Sequence, residues 1–342
     1  MNMKGILLVN LGSPKSTKVK DVKTYLDEFL MDEKVIDYPW FFRSLLVQGI
    51  ILNFRPKKSA AAYQTVWMDE GSPLIVFTER IQVKLQKLYD IPVEIGMRYA
   101  QPSIENGIKK LVEKGVTEIV LFPLYPQYAM STTETVIDKA EEVRKKLFPE
   151  VKINYIEPFY NREIYIDCLA ESIREKLPEN FDALQFSYHG LPERHLYKTD
   201  PTNTCKIGEC CFRENNPAHQ FCYRHQCYKV TESVIKKLGL PKEKVLVTFQ
   251  SRLGSDKWIE PYTDFTLENL PAKGIKNLAV VCPAFVSDCL ETLEEISVEG
   301  KEIFEHAGGE TFNYIPCLND EDRWIDVVKI LCDEKLEEFY LV

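Results

Sequence analysis

Short apolar runs alternate with helix-like segments along almost the whole chain, and this alternation restricts the possible folds more than any other feature. The runs lie near residues 5–10, 93–98, 118–124, 152–156, 181–188, 244–250, 277–284 and 311–315. Between them, apolar residues recur at helical spacing, for example at 74–89, 102–114, 131–147, 162–177, 228–238 and 288–306. Alternating strands and helices are typical of parallel sheets that helices cover on both faces.

The eight predicted strands fall into two groups of four, which predicts an α/β fold with two doubly wound, Rossmann-like domains and parallel sheets. We expect an N-terminal domain over 1–155 and a C-terminal domain over 156–319 with a cysteine-rich insert at 203–228. A helix in 320–342 is expected to pack back on the first domain. Ligands of such sheets bind beyond the carboxyl ends of the strands, so we expect the active-site cleft between the domains.

Charge and hydropathy exclude two classes of protein. The formal net charge of −9 argues against nucleic-acid binding, because nucleic-acid-binding proteins carry a basic patch. No apolar run reaches the roughly 18 residues that a membrane-spanning helix needs. The run Gly5–Gly12 is too short for the core of a signal peptide and lacks a cleavage site, so we interpret it as a buried strand and expect a cytoplasmic protein.

One strongly apolar segment could lie on a membrane surface without crossing it. Trp40–Phe54 has few polar positions and is followed by the basic residues Arg55, Lys57 and Lys58. Such a segment fits an interfacial helix, the lip of an apolar pocket or a buried core helix. The first of these interpretations would make the protein peripheral at the inner membrane.

A row of carboxylates follows the predicted strand at 277–284, at Asp288, Glu291, Glu295 and Glu299. Offsets of three, four and four residues would place them on one helical face, where like charges repel by about 0.2–0.5 kcal/mol per pair. Stability therefore does not explain the row, whereas hard oxygen donors suit a divalent cation. The alternative is an acidic helix face in contact with solvent.

His189 lies just after the predicted strand 181–188 and just before Gly190. A histidine at the end of a strand can be a structural hydrogen-bonding residue, or it can project into the cleft. In the second case, a neutral imidazole could accept a proton or bind a metal ion. The sequence contains neither a nucleotide-binding glycine loop nor a nucleophile elbow, which argues against a nucleotide-binding protein and a serine hydrolase.

Short polar motifs follow the other predicted strands, and in this order they resemble those of the ferrochelatases. The resemblance extends from Gly5 to about residue 338 and is carried by residues 8–14, 71–73, 97–99, 125–128, 131–133, 187–192, 250–252, 258, 261–263 and 283–296. It implies insertion of Fe²⁺, as a substrate, into protoporphyrin IX, the last step of protohaem synthesis. It also implies a chelatase-like pair of Rossmann-like domains with a macrocycle cleft between them.

The resemblance also assigns roles to individual residues. The catalytic residues of the family fall on His189 and Glu291. The metal-binding residues are expected to be His189, Glu291, Glu295, Glu299 and Asp288. Porphyrin-binding residues are expected at Arg55, Tyr63, Ser72, Arg98, Tyr128 and Trp258.

Three other functions remain open at the sequence level. Some bacterial relatives act on coproporphyrin, although the form of residues 187–192 and Cys289 before Glu291 favour the protoporphyrin type. A cobalt or nickel chelatase for another tetrapyrrole fits the aromatic residues and the motif at 261–263 less well. A protein of another class, a haem or porphyrin carrier without catalysis, would use the same cleft but would not require His189 and Glu291.

Five of the ten cysteines crowd into one segment, at Cys205, Cys210, Cys211, Cys222 and Cys227. In a reducing cytoplasm, such crowding indicates metal or cluster ligands rather than disulfides. The spacing of five residues within each pair favours a 2Fe–2S cluster on Cys205, Cys210, Cys222 and Cys227, with Cys211 able to replace Cys210. The segment is similar to that of bacterial ferrochelatases with internal cysteines, while a zinc site and unligated thiols remain alternatives.

Overall fold

The computed structural model describes residues 3–254 and 256–339, which form two compact units. The first unit comprises residues 3–124, 130–157 and 319–339. The second comprises residues 125–129 and 158–318, so a short piece of chain between two segments of the first unit belongs to the second.

Each unit contains one four-stranded parallel sheet. The first sheet is built from β1 (Met3–Asn10), β2 (Val93–Met97), β3 (Val116–Pro123) and β4 (Lys152–Tyr155), in the order β2-β1-β3-β4. The second is built from β5 (Ala183–His189), β6 (Val245–Gln250), β7 (Asn277–Val281) and β8 (Thr311–Ile315), in the order β6-β5-β7-β8. The predicted α/β fold with two parallel sheets is therefore confirmed, and each predicted strand lies where the apolar runs placed it.

Helices connect the strands throughout the described residues. They are α1 (Val19–Leu30), α2 (Trp40–Leu46), α3 (Leu52–Val66), α4 (Pro73–Gln86), α5 (Ile104–Glu113), α6 (Thr135–Leu147), α7 (Glu163–Lys176), α8 (Glu193–Lys198), α9 (Tyr223–Leu238), α10 (Thr263–Asn269), α11 (Leu290–Leu293), α12 (Lys301–His306) and α13 (Asp322–Glu338). Wider π-helical turns occur at Val47–Ile51, Met130–Glu134 and Glu295–Gly300. Short 3₁₀ turns occur at Cys210–Phe212, Pro217–Phe221, Lys242–Lys244 and Pro271–Lys273.

Two glycines allow α5 to pack directly on β2. A Cβ atom at Gly107 would lie 2.7 Å from the carbonyl oxygen of Ile95, and one at Gly96 would lie 2.9 Å from the Cα atom of Ile104. Alanine in a helix is favoured over glycine by about 1 kcal/mol, but this gain is smaller than the cost of about 1–3 kcal/mol for overpacking a core. Close helix–sheet packing therefore requires glycine here, and it fixes the position of the strand end that leads to Arg98.

The apolar core of the second unit lies under β7 and the helices that follow it. Leu278, Val280 and Cys282 pack with Ile296 and Phe304, and each of these side chains is buried. Truncation of a buried phenylalanine to alanine typically costs about 3–5 kcal/mol, so a residue such as Phe304 anchors α12 strongly. This anchor holds the segment that begins with the acidic row.

The predicted helix over 288–306 is interrupted in the structure. It begins only at Leu290, and Cys289 caps it, since the Thr292 hydroxyl accepts a hydrogen bond from the Cys289 backbone N–H at 3.0 Å. The helix then widens into the π-helical turn Glu295–Gly300, where the Glu299 N–H donates to the Glu294 carbonyl at 2.9 Å. The prediction of four carboxylates on one continuous helical face is therefore wrong, because Asp288 precedes the helix and the π-helical turn changes its periodicity.

Helix α13 packs within the first unit. Its buried side chains include Trp324, Val328 and Leu331. The Tyr89 hydroxyl lies 2.6 Å from Asp333, and the Lys335 ammonium donates to Glu157 at 2.9 Å. These contacts join the last described helix to the segments after α4 and β4.

Candidate active site

His189 ends the central strand β5, and its side chain is half-buried. Its Nδ1 atom lies 2.6 Å from the Gly190 carbonyl oxygen. Since a carbonyl can only accept, Nδ1 carries a proton, and in the neutral form of the ring Nε2 keeps its lone pair. The ring also makes an edge contact with Phe285, with centroids 6.3 Å apart.

Gly190 is required by the close approach of β6. A Cβ atom at this position would lie 2.7 Å from the Gln250 carbonyl oxygen, 3.0 Å from the Ser251 carbonyl oxygen and 3.3 Å from the Trp258 ring. The Gly190 N–H donates to the Gln250 carbonyl at 2.6 Å. The residue after His189 is thus fixed, and Trp258, one of the predicted porphyrin-binding residues, packs beside it.

Gln250 joins the ends of the strands to the acidic segment. The side chain is buried, and its Oε1 accepts a hydrogen bond from the Ser187 hydroxyl at 2.9 Å. Its Nε2 donates to the Glu291 carbonyl oxygen at 2.7 Å, and it lies 3.4 Å from the Glu295 carboxylate. Because each end of this amide has a partner, Gln250 is held in one orientation and holds the acidic segment against β5 and β6.

Ser251 binds the carboxylate of Glu295 directly. Its hydroxyl donates to Glu295 Oε2 at 2.5 Å. The Ser251 backbone has φ +62°, a left-handed conformation that residues other than glycine rarely adopt. Strained backbone of this kind is often found at functional sites, and here it directs the hydroxyl toward the carboxylate.

The pKa of Glu295 is raised above the ordinary glutamate value. Burial is the largest cause, because it disfavours the charged carboxylate, and the negative charge of Glu291 acts in the same direction. The hydrogen bond from Ser251 lowers the pKa, as does the positive charge of His189 when its ring is protonated, but these effects do not cancel that of burial. The structure therefore brings His189, Glu291 and Glu295 close enough together for their charges to interact.

The other two members of the acidic row lie in different surroundings. Asp288 is buried, and its Oδ1 accepts hydrogen bonds from the Thr292 hydroxyl at 2.9 Å and the Tyr314 hydroxyl at 2.5 Å. Glu299 is half-buried within the π-helical turn. In the described residues, no group of three or more His, Cys, Asp or Glu side chains is arranged to hold a metal ion. Metal binding by this row stays a prediction.

Arg98, a predicted porphyrin-binding residue of the first unit, is engaged by protein groups. Its guanidinium pairs with Asp32, donates to the Thr135 hydroxyl at 2.7 Å and stacks over the Tyr99 ring at 4.5 Å. Burial opposes ionisation of Asp32, but hydrogen bonds from Thr135 and the Lys34 N–H, together with the Arg98 charge, lower its pKa. The structure thus gives Arg98 a structural role, and its contact with porphyrin stays a prediction.

The remaining predicted porphyrin-binding residues are distributed over both units. In the first unit, the Ser13 hydroxyl donates to the Ser72 hydroxyl at 2.6 Å, Tyr63 is buried against Trp67, and Arg55 is exposed on α3. In the second unit, the Tyr128 N–H donates to Gln226 at 2.7 Å, and the ring contacts Phe221. Their common contact with a porphyrin stays a prediction.

Four of the five clustered cysteines pack together in the second unit. Cys210, Cys211 and Cys222 form a small buried cluster, and Cys205 packs against it. The Cys210 sulfur accepts the Lys206 N–H at 3.1 Å, and the Cys222 sulfur accepts the His225 N–H at 3.5 Å. Cys227 is fully buried but does not belong to this group. The structure therefore groups Cys211, and not Cys227, with the other three cysteines, although the four described thiols are not arranged as ligands of a single metal ion.

The sequence analysis identifies the motif 250–252 but predicts no role for Gln250 or Ser251. Polar residues at the end of a predicted parallel strand indicate a ligand-binding position, and this pattern could have pointed to both residues. What it could not show was the partner of each side chain, because Glu291 and Glu295 lie about 40 residues further along the chain.

Comparison with solved structures supports the fold. The structure is similar to SirB from Bacillus subtilis solved with Fe³⁺, with a TM-score of 0.54 and 15% sequence identity over 96% of this chain and 95% of that chain. It is also similar to the sirohydrochlorin chelatase SirB from Bacillus subtilis subspecies spizizenii in complex with cobalt, with a TM-score of 0.55 and 12% identity over 98% and 96% of the two chains. At these identities, the likeness concerns the fold alone.

Sequence comparison identifies the family. Residues 3–336 match the family model described as Ferrochelatase. A ferrochelatase of Ectopseudomonas mendocina is 48% identical over 96% of this chain and 97% of its own length. A ferrochelatase of Pseudomonas fluorescens is 49% identical over the same shares of the two chains. The chain, whose second unit presents a half-buried histidine beside a carboxylate of raised pKa, belongs to the ferrochelatase family.

Proposed function

We propose that this protein inserts Fe²⁺ into protoporphyrin IX and releases protohaem. The observation that carries the proposal is the proximity of His189, at the carboxyl end of β5, to Glu291 and Glu295, which follow β7, in a chain that matches the family over nearly its whole length. Insertion of the cation displaces two pyrrole N–H protons, so the site must accept protons close to a metal ion. A neutral imidazole and a pair of carboxylates provide both functions.

His189 is the first proton acceptor in this proposal. Its Nδ1–H is held by the Gly190 carbonyl, so Nε2 accepts a pyrrole proton without a change of tautomer. Glu291 and Glu295 offer carboxylate oxygens to the arriving cation and accept the second proton. Glu295 suits this task because its raised pKa makes it a stronger base than an exposed glutamate.

The first experiment is anaerobic incubation of the purified protein with Fe²⁺ and either protoporphyrin IX or coproporphyrin, followed by absorption spectroscopy. We expect conversion of protoporphyrin IX to haem at an enzymatic rate. Faster conversion of coproporphyrin would favour the alternative substrate. Porphyrin binding without metal insertion would favour a non-catalytic carrier, and the proposed activity would then be wrong.

We predict that His189→Ala and Glu291→Gln reduce kcat by about 10²- to 10⁴-fold, the usual contribution of a positioned acid or base. Porphyrin binding, measured by fluorescence quenching, should change little, because neither substitution removes an aromatic wall. His306→Ala and Glu302→Gln are matched controls, since both residues are exposed on α12. If His189→Ala retained the wild-type rate, the assigned proton acceptor would be wrong.

We predict that loss of the Ser251 hydroxyl shifts the acid limb of the pH–rate profile to higher pH. The hydroxyl stabilises the ionised form of Glu295, so its removal raises a pKa that burial has already raised. A higher pH is then needed to ionise Glu295 and restore activity. The pH dependence of kcat/KM reports this shift.

Ser251→Ala and Ser251→Gly should be measured together, because they separate the hydroxyl from the backbone. Glycine accepts the left-handed backbone that alanine resists, so the two variants should differ in stability but shift the pH profile in the same direction. A shift in Ser251→Ala alone would attribute the effect to backbone strain and contradict the role of the hydroxyl.

We propose that Cys205, Cys210, Cys211 and Cys222 hold a 2Fe–2S cluster. Their proximity supports this set, as do the N–H donors directed at the sulfurs of Cys210 and Cys222. Each iron of such a cluster takes two cysteine sulfurs, so the chain must supply two pairs of thiolates. When bound, the cluster would serve as a structural link or a sensor, because metal insertion itself transfers no electron.

We predict that the purified protein is reddish and contains iron and acid-labile sulfide. Cys211→Ser and Cys222→Ser should lose the visible absorption, whereas Cys227→Ser should keep it. Cys332→Ser is the control for replacement of a buried cysteine outside the segment. If Cys227→Ser lost the cluster and Cys211→Ser kept it, the ligands would be the set expected from spacing, which includes Cys227. A colourless protein that contains zinc and no sulfide would exclude the cluster.

We propose that the protein works in the cytoplasm with peripheral contact to the inner membrane through α2, the π-helical turn after it, and the start of α3. The apolar side chains on this surface are between 53% and 78% exposed: Trp40, Phe41, Phe42, Leu45, Ile50 and Phe54. Exposure of this extent supports the interfacial helix over the core helix among the interpretations of the sequence. Among the described residues, no helix is long and apolar enough to cross a bilayer.

We predict that a Phe41→Glu, Leu45→Glu variant floats less with lipid vesicles than the wild type, because two charges replace apolar side chains at the contact. Vesicles should contain anionic lipid, since exposed Arg55, Lys57 and Lys58 follow the apolar surface. Val83→Glu, Leu88→Glu adds the same charge at exposed apolar positions elsewhere in the first unit. Equal flotation of all three proteins would exclude this surface as the membrane contact.

A further inference from the structure

Arg224 is a buried cation in the first turn of α9. Only 8% of its surface is exposed. Its guanidinium stacks over the Tyr228 ring at 4.8 Å and lies 5.9 Å from the centre of the Phe212 ring. Arginine is almost never this deeply buried without a charged or hydrogen-bonding partner, because loss of hydration is expensive.

The polar contacts of Arg224 are incomplete. Nη2 donates to the Tyr228 hydroxyl at 3.2 Å. Nε and Nη1 are buried and have no oxygen or nitrogen acceptor within residues 3–254 and 256–339, where the Cys211 thiol, a weak acceptor, lies nearby. A buried cation with two nitrogens that lack acceptors destabilises the folded chain, so Arg224 as it stands contributes little to stability.

The orphaned donors lie beside the cysteine cluster. Arg224 follows Cys222 by two residues, and its guanidinium lies 5.9 Å from the ring centre of Phe212, the residue directly after Cys211. The positive charge is therefore placed next to two of the four cysteines that pack together. Thiols are weak acceptors, whereas thiolates and inorganic sulfide carry the negative charge that a guanidinium needs.

The loop that presents these cysteines is already held in place by two histidines. The His219 and His225 rings stack at 3.5 Å with 4° between their planes. His219 Nε2 lies 2.8 Å from the Cys210 carbonyl oxygen, and His225 Nδ1 lies 2.8 Å from the Cys211 carbonyl oxygen. The cysteines are thus fixed by side chains other than Arg224, which leaves the orphaned donors of Arg224 without a role in holding the loop.

We propose that Arg224 is a positioning residue for the 2Fe–2S cluster, and that its Nε and Nη1 donors hydrogen-bond to the sulfurs and compensate the negative charge of the cluster. This inference rests on the cluster proposed above. An oxidised 2Fe–2S centre with four thiolates is anionic, and reduction by one electron adds a further negative charge. A fixed cation beside it stabilises the reduced form more than the oxidised form and therefore holds the reduction potential higher.

The test compares Arg224→Gln, Arg224→Lys and Arg213→Gln in the full chain, purified anaerobically with its cluster. Arg213 is the matched control, because it lies in the same segment and loses the same charge but is 60% exposed and pairs with Glu209. Each protein is titrated with dithionite as the one-electron reductant, and the visible bands and the paramagnetic resonance signal are followed. Iron, sulfide and the rate of cluster loss to a chelator are measured on the same samples.

We expect Arg224→Gln to have a more negative midpoint potential than Arg213→Gln and to lose its cluster roughly tenfold faster or more, as for other outer-shell partners. The midpoint potential and the rate of cluster loss of Arg224→Lys should lie between those of Arg224→Gln and the wild type. Lysine keeps the positive charge but cannot donate the bidentate hydrogen bonds of a guanidinium. Equal potentials and equal cluster loss in Arg224→Gln and Arg213→Gln would overturn the inference.

A purely structural role is tested in a chain that cannot bind the cluster. If Arg224 only stacks on Tyr228, Arg224→Gln should lower the melting temperature equally in the wild type and in Cys222→Ser. We expect Arg224→Gln to lower the melting temperature clearly less in Cys222→Ser than in the wild type, because the anionic cluster that Arg224 compensates is absent there. A wild-type protein without iron and sulfide would instead refute the cluster itself, and this outcome is distinct from a cluster that is indifferent to Arg224.

Discussion

The candidate active site depends on the hydrogen bonds of one buried residue, Gln250, through both its backbone and its side chain. Its backbone carbonyl accepts the Gly190 N–H at the end of β5, and its amide nitrogen donates to the Glu291 carbonyl in α11. The histidine strand and the acidic segment are thus joined through a residue that belongs to neither. A parallel sheet alone would align the ends of β5 and β6, but it would leave the acidic segment to be placed by apolar packing. Hydrogen bonds to a buried amide whose donors and acceptors are all satisfied fix the orientation of the acidic segment more narrowly than apolar packing does.

The fold could be predicted from the sequence because buried parallel strands leave a strong signal. All eight predicted strands are present. The signal is strongest in central strands such as β1 and β7, which are almost fully buried, and weaker in the partly buried edge strands β4 and β8. The prediction that the four carboxylates share one helical face was wrong for a local reason. Periodicity assumes a continuous α-helix, whereas here Asp288 lies before the first turn and a π-helical turn spans Glu295. Such turns follow from packing over the whole unit and leave no mark in the spacing of residues.

The cysteines show a second limit of spacing arguments. Two pairs with equal spacing suggested a symmetric set that included Cys227, but helix α9 begins at Tyr223, earlier than the predicted 228. Five residues along an α-helix turn a side chain well away from its starting direction, so Cys227 leaves the side on which Cys222 lies. The role of Arg224 was also invisible, because an arginine in a helical pattern looks like any solvent-exposed one. The proposed role of Arg224 is inferred from the burial of its guanidinium and from the incomplete hydrogen bonding of that group.

The site in the second unit balances two opposing demands on Glu295. A carboxylate that attracts a cation should be ionised, which calls for a low pKa, whereas one that takes a proton from a pyrrole nitrogen should be basic, which calls for a high pKa. Burial and Glu291 raise the pKa, with burial the largest effect, whereas the Ser251 hydroxyl and a protonated His189 lower it. In the proposed reaction, the net rise makes Glu295 a competent base, while the 2.5 Å hydrogen bond from Ser251 keeps its anionic form accessible in a partly buried place. An arriving cation would favour the same anionic form, so metal arrival and proton departure become coupled through one carboxylate.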